Sequence, residues 1–292
     1  MGNSAPAPSP PPPPSPELKQ PWRDMSWDNR DKTLKELKEF KPANPKVERV
    51  RILLHGPIGA GKSSTINSIN SIFQGHITSE ALADSAGAGE SFTKTLKTYY
   101  IENRSSSGSS YAFTFTDIMG LEKKGGVHQQ DIVHALKGRV RDDYKFNPDS
   151  PTSDDDPYYN NSPSLRDKVH CLVTVLAADK LSVMEQEVIN KLREIRLEAS
   201  NMGIPQVILL TRVDVACELV NRDLRKVYTS KYIKQQMEKG HTMLGTPMNC
   251  ILPVKNYSEE IDLVKDVDEL LLKALRHIVN FADDYVRKKP HN

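Results

Sequence analysis

The run Gly56-Pro-Ile-Gly-Ala-Gly61-Lys62-Ser63 matches the pattern G-x-x-x-x-G-K-[ST]. That pattern works only between a strand and a helix, and the flanks comply. Residues 47–54 read as a buried strand by their β-branched and leucine content, and residues 63–73 as a helix with Ile66, Ile69 and Phe73 on one stripe. The glycines let the backbone curl until its N–H groups converge on a phosphate. Lys62 is placed to reach the β- and γ-phosphates, and the Ser63 hydroxyl to ligate magnesium. The phosphate-facing set is therefore Gly56, Ile58, Gly59, Ala60, Gly61, Lys62, Ser63 and Ser64. A glycine-rich turn that only packs close to a helix is the alternative.

The remaining elements follow a repeating order. Residues 93–101 and 111–116 predict two strands joined by the Ser/Gly-rich turn 105–110, a hairpin. A strand at 170–177, a helix at 181–202, a strand at 206–210, a largely helical stretch at 217–238, a short strand at 250–254 and an amphipathic helix at 263–285 complete the series. Repeated β-then-α order implies an α/β fold with a mixed, mostly parallel sheet and helices on both faces, the hairpin supplying the antiparallel member. Residues 46–286 form this unit, a P-loop NTPase domain. Ahead of it, nine of the 20 prolines fall between Pro6 and Pro21, so residues 1–21 are expected to be a disordered or polyproline II tail that an SH3-type reader would fit. Residues 22–45 are expected as a helical extension, with Leu34, Leu37 and Phe40 on one face and Pro42 and Pro45 closing it. Residues 287–292 are a C-terminal tail. Two insertions interrupt the rhythm, a small-residue stretch at 75–90 and an acidic loop at 142–164.

Charge and composition exclude several classes. Of 292 residues, 40 are Lys or Arg and 38 Asp or Glu, a net +2 that argues against a nucleic-acid binder held by a broad basic field. No uninterrupted apolar run exceeds four residues, so no membrane span is expected. The start Met-Gly-Asn-Ser-Ala-Pro lacks the basic and apolar regions of a secretory signal. Cys171, Cys217 and Cys250 show no metal-ligand spacing and read as reduced cysteines of a cytoplasmic protein.

Two further motifs complete a nucleotide site. Asp117 stands at the end of the 111–116 strand with Gly120 three residues on, the arrangement in which the carboxylate holds magnesium and the glycine amide touches a γ-phosphate. Thr211-Arg212-Val213-Asp214 follows the 206–210 strand and resembles the T-K-x-D element of GTP-binding domains, so the unit is G-domain-like. The Asp214 carboxylate would accept the N1 and N2 protons of guanine, which adenine cannot offer, and the Arg212 stem would replace that of the lysine that packs on the base. The competing role for Asp214 is a helix cap. Asn256, after the last strand, is a candidate for a backbone contact to the base.

At this point the chain resembles the interferon-induced protein 44 and 44-like family. The resemblance rests on Leu54-His-Gly-Pro-Ile-Gly-Ala-Gly-Lys-Ser-Ser-Thr-Ile-Asn-Ser, Phe73-Gln-Gly-His76, Tyr144-Lys-Phe-Asn-Pro148, Ser162-Pro-Ser-Leu-Arg-Asp-Lys168 and Lys255-Asn-Tyr-Ser258, and covers roughly residues 45–285. It implies a cytoplasmic, interferon-inducible, GTP-binding protein of antiviral or immune signalling. Members often carry a TLDc-type domain before the G domain. Residues 1–45 are too short for one, so its absence is expected.

The cofactors expected are GTP or GDP with magnesium, with Ser63, Asp117 and a first-switch residue as metal ligands. Ser91, Thr93, Thr95 and Thr98 compete for the last role, and Thr93 is chosen. Leu121 stands where Ras-like proteins place a water-orienting glutamine, and Ile58 where they keep a glycine. Slow hydrolysis is expected, with acceleration supplied by a nucleotide-dependent homodimer or another protein partner, through an inserted Arg or a repositioned Glu122. The rival classes are a nucleotide-bound scaffold that scarcely hydrolyses and an ATP-using P-loop enzyme.

Overall fold

The computed structural model describes residues 15–81, 94–104, 108–123 and 126–290. Six strands form one sheet in the order β2-β3-β1-β4-β5-β6, where β1 is Val50–His55, β2 Lys97–Glu102, β3 Ser110–Asp117, β4 Cys171–Ala177, β5 Gln206–Thr211 and β6 Ile251–Pro253. All neighbours run parallel except β2, which pairs antiparallel with β3. All seven residues of β4 are buried. Successive side chains of a strand point to opposite faces, so both faces of the sheet are covered.

The covering helices are α1 (Arg30–Glu39), α2 (Lys62–Gln74), α3 (Gln129–Leu136), α4 (Gln186–Asn201), two short pieces α5 (Val213–Ala216) and α6 (Glu218–Arg222), then α7 (Lys231–Leu244) and α8 (Lys265–Arg287). α8 packs on β1 and β4 and against α2 and α1, while α3, α4 and α7 pack in a row. This strand order around a phosphate loop is a P-loop GTPase-like α/β fold. In register, Leu54 pairs with Asp117 on one side and Val173 on the other, so the carboxyl ends of the central strands open at one edge.

Four features depart from the sequence reading. The helix expected across 217–238 is broken: Asp223 accepts the Arg225 N–H and Ser230 the Ile233 N–H, each short polar side chain starting a new element, and α7 then runs on to a left-handed Gly245. The eight-residue α3 was not expected at all.

Residues 15–21, assigned to the tail, are docked. Leu18 N–H donates to Thr229 O at 2.8 Å, Lys231 N–H to Pro16 O at 3.1 Å, and Glu17 pairs with Lys226 at 2.8 Å. Next to them Trp22 sets its edge on Tyr228 with ring centroids 5.3 Å apart, and the Arg23 guanidinium donates to the Met248 and Ile251 carbonyls. Once the proline run ends, polar and aromatic anchors give the chain something to bind. The proline run itself, residues 1–14, lies outside the described residues.

The acidic loop is held by its aromatics and one buried acid. Tyr144, Phe146 and Tyr159 are buried, and the Thr152 N–H donates to Asp131 Oδ1 of α3 at 2.7 Å. Among the described residues no helix is long and apolar enough to cross a membrane.

Candidate nucleotide-binding site

The phosphate loop leaves β1 at His55 and enters α2 at Lys62. Gly56 takes φ +146, and a Cβ there would stand 2.2 Å from the Val175 carbonyl oxygen, so this glycine permits the loop's close approach to β4. Gly59 and Gly61 turn the loop with φ of +66 and +93. Lys62 is 3% exposed, and its ammonium donates to Pro57 O at 3.2 Å and Gly56 O at 3.4 Å, arching over its own loop. A cation held this deep by two backbone dipoles is poised for an anion. The residues therefore fit a phosphate group.

His55 Nε2 lies 2.7 Å from Thr174 Oγ1 beneath the loop. Burial, with the Lys62 charge adding to it, pushes this imidazole down to about 3, so it stays neutral and structural. At the helix entry the Ser63 hydroxyl donates to Asp117 Oδ2 at 2.6 Å, both residues buried. A hydroxyl and a carboxylate in contact beside a phosphate cradle are the donor set magnesium takes. Ser64, half-exposed, opens onto a cavity of about 490 Å³ along α2 that reaches Tyr257 and Glu260.

The base-reading segment is tied directly to this loop. Thr211 Oγ1, fully buried, lies 2.6 Å from Ala60 O and 3.2 Å from Leu176 O. One hydroxyl proton serves only one acceptor at a time, and the shorter contact is the one to the loop. Arg212 takes the left-handed conformation, φ +58, and its guanidinium grips Asp179 through two bonds of 2.9 and 3.0 Å. The head is committed, so any base contact falls to the stem. Asp214 lies 3.7 Å from the Lys255 ammonium, which also pairs with Glu260 at 2.7 Å.

The Asn256 side chain has a structural task of its own. Its Nδ2 donates to Gly61 O at 3.2 Å and to Thr65 Oγ1 at 3.1 Å, stapling the first turn of α2 to the loop after β6. Tyr257 N–H continues the seam on Ser68 Oγ at 2.9 Å.

At the far end of the loop, a Cβ on Gly120 would meet Ile58 Cγ1 at 2.4 Å and Ile58 N at 2.9 Å. Leu121 N–H donates to Gly56 O at 3.0 Å, with Pro57 and Leu121 bridged in parallel, and the Leu121 side chain is buried. Lys191 of α4 donates to the carbonyl of Glu122 at 2.7 Å. The segment following Asp117 is thus zipped to the phosphate loop at one end and clamped to α4 at the other.

The structure brings together Gly56 through Ser64, Asp117, Gly120, Thr211 and Asp214. Thr93 and Ser91 lie outside the described residues. Thr98 is excluded as a first-switch ligand, because its hydroxyl is buried in β2 against Asp142 Oδ1 at 2.7 Å. Lys255, Asp179 and Lys191 are neighbours that sequence reasoning passed over. Only Lys255 carried a signal, its place in the Lys255-Asn-Tyr-Ser258 run.

No protein-family model matches the chain. Among curated proteins it is 38% identical over 264 residues to human interferon-induced protein 44 and 34% identical over 265 residues to human interferon-induced protein 44-like. Those matches cover 89% and 90% of this chain and 58% of each relative. Mouse interferon-induced protein 44 is 34% identical over 261 residues, 89% of this chain and 61% of the relative. The chain thus spans about 58% of the length of the human relatives. Solved structures that align include Toc33 of Arabidopsis thaliana in complex with GDP and Mg2+, at 14% identity and a TM-score of 0.45 over 88% of this chain and 91% of that one. A probable GTP-binding protein, EngB, aligns at 12% identity and 0.43 over 82% and 100%. Over the matched region, the chain belongs to the interferon-induced protein 44 and 44-like family.

Proposed function

We propose that this chain binds GTP and GDP with magnesium and acts as a slow nucleotide-dependent switch in the interferon-induced antiviral response. The observation that carries the reading is the joining of two half-sites. Thr211 and Asn256 bond the loop carbonyls of Ala60 and Gly61, so the strand tip bearing Asp214 and the loop bearing Lys62 form one rigid unit. A site with an anion cradle at one end and a carboxylate at the other has the chemistry of a guanine nucleotide.

Within it, Lys62 and the loop amides would hold phosphate oxygens, Ser63 and Asp117 the metal, and Asp214 the guanine N1 and N2 protons. Magnesium, when bound, supplies charge neutralisation at the phosphates. Lys255 balances the Asp214 charge at the base end. Leu121 cannot orient water: its side chain is alkyl, buried and turned into the core. Ile58 covers Gly120 from the loop side. Both features favour turnover no faster than about 10⁻³ per second, the scale of unassisted small GTPases, with acceleration left to a protein partner, a second copy of this chain being the simplest. The three free cysteines suit the cytoplasm, and the proline-rich residues 1–14 suit an SH3-type reader.

Single-turnover GTP hydrolysis across a wide range of protein concentration tests the switch. A slow rate that climbs with concentration, or with an added partner, supports it. A fast rate independent of concentration contradicts it.

A further inference from the structure

The nucleotide site occupies the carboxyl ends of the strands. A second concavity of about 340 Å³ lies at their amino ends, walled by Lys137, Arg139, Lys168 and Lys289, with Ile204 and Tyr285 beside them. β4 spans seven residues, so the two sites stand about 20 Å apart. The volume falls within the range of small-ligand pockets. Its wall contains four cations and no carboxylate.

Over the whole chain the charges nearly balance, 40 Lys and Arg against 38 Asp and Glu. Some cations of this chain are matched with acids, as in Arg225–Asp266 at 3.0 Å or Lys255–Glu260 at 2.7 Å. Among the described residues none of the four pocket cations forms an ion pair with a carboxylate. Two are positioned by aromatic rings instead. Arg139 donates to the Tyr159 hydroxyl and lies over its ring, and the Lys289 ammonium sits 4.2 Å from the Tyr285 ring centroid. All four are half-buried.

The ordinary explanation is complementation of helix dipoles, since Lys137 follows the last turn of α3 and Lys289 the last turn of α8. It leaves Arg139 and Lys168 without a reason. Lys168 ends a single 3₁₀ turn at Leu165–Asp167, whose own acid is turned away onto the Ser164 N–H at 2.8 Å.

Four converging cations with no acid in the wall raise a local positive potential that concentrates anions. Their number matches the charge of two phosphate groups, and their spread over three separate segments suits a ligand with more than one charged end. We infer that this pocket binds a small bis- or polyphosphorylated molecule, either free in solution or presented as a phosphorylated lipid headgroup. The site is independent of the proposed nucleotide site.

The test uses the full chain carrying Lys62→Ala, which removes the phosphate loop's own claim on phosphate. Inositol 1,4,5-trisphosphate is titrated by calorimetry at physiological salt, and vesicles with and without phosphatidylinositol 4,5-bisphosphate are used in parallel for co-sedimentation. The triple variant Lys137→Gln, Lys168→Gln, Lys289→Gln is compared with an equal neutralisation on the exposed face around α1, Lys32→Gln, Lys38→Gln, Lys41→Gln. The pocket variant is expected to weaken binding at least about tenfold, roughly 1.4 kcal/mol, while the α1 variant stays close to the parent. Loss confined to the free ligand assigns a soluble source, and loss confined to the vesicles assigns the headgroup. No binding in either arm, or equal loss in both variants, overturns the proposal. If the triple variant melts early, Lys168→Gln alone is read the same way, with about a threefold loss expected.

Discussion

Thr211→Val replaces the hydroxyl with a methyl of nearly the same volume, so its effect isolates one hydrogen bond. In the parent, Oγ1 lies 2.6 Å from the Ala60 carbonyl in a fully buried setting. Valine leaves that carbonyl facing a methyl group. An orphaned buried acceptor costs about 1–3 kcal/mol, and for a domain of this size each kcal/mol lowers the melting temperature by roughly 2–4 °C. A fall of about 2–12 °C is therefore expected. The Ala60–Gly61 turn is also released from β5, so nucleotide affinity should fall about tenfold, because the loop amides lose part of their fixed aim. Thr211→Ser is the control: it keeps the donor and loses one methyl, worth about 0.8 kcal/mol. It should lose little nucleotide affinity. Thermal melts and fluorescent-GDP titrations of both variants decide the matter. If valine binds nucleotide as well as serine does, the bond to Ala60 does not aim the loop.

Three other perturbations probe neighbouring parts of the account. Gly120→Ala places a Cβ 2.4 Å from Ile58 Cγ1 and 2.9 Å from Ile58 N; it should cost about 1–3 kcal/mol as overpacking, and adding Ile58→Ala should recover only part, because the backbone clash stays. Asp214→Asn should move nucleotide preference from guanine toward xanthine, since the amide can donate where the carboxylate only accepts; unchanged selectivity in a competition assay removes Asp214 from the base site. Glu260 concerns pH: burial alone would raise this carboxyl, but the bond from the Lys255 ammonium and the Ser258 N–H outweigh it and hold it down at about 2. Its contribution to stability is complete above the ordinary carboxylate range near 4.5 and is lost as pH falls from there toward 2. Denaturant melts should show Glu260→Gln flattening that acid limb; an unchanged slope contradicts the pairing.

Much of the site was legible because its chemistry is local. Gly56 through Ser63 must lie between a strand and a helix, and both flanks have the matching periodicity, so the loop, β1 and α2 could be read together. Asp117 and Asp214 sit at strand ends, and the parallel order of those strands decides that all such ends share one edge. What escaped depends on contacts between distant segments. The Asn256 side-chain amide bonds Gly61 and Thr65, which are almost 200 residues earlier, 195 and 191 by number, a staple its position after β6 does not announce. Residues 15–21 read as part of a proline tail, and only the surface offered by Thr229 and Lys231 makes them part of the domain. Asp223 and Ser230 are unremarkable inside a helical pattern until each is seen to cap a new turn. α3 has eight residues, too few for a helical period to stand out, and its buried Asp131 runs against the expected pattern until Thr152 arrives to bond it.

The central claim is that a single site recognises a guanine base and its phosphates together. Calorimetric titration of the purified chain with GDP and with ADP, each with magnesium and with chelator, tests it most directly. The account expects GDP to bind, ADP to bind at least about tenfold more weakly for want of the N1 and N2 protons, and chelator to weaken the triphosphate more than the diphosphate when GTP is added as a third arm. ADP binding as tightly as GDP, or Lys62→Ala binding GDP as tightly as the parent, would contradict it.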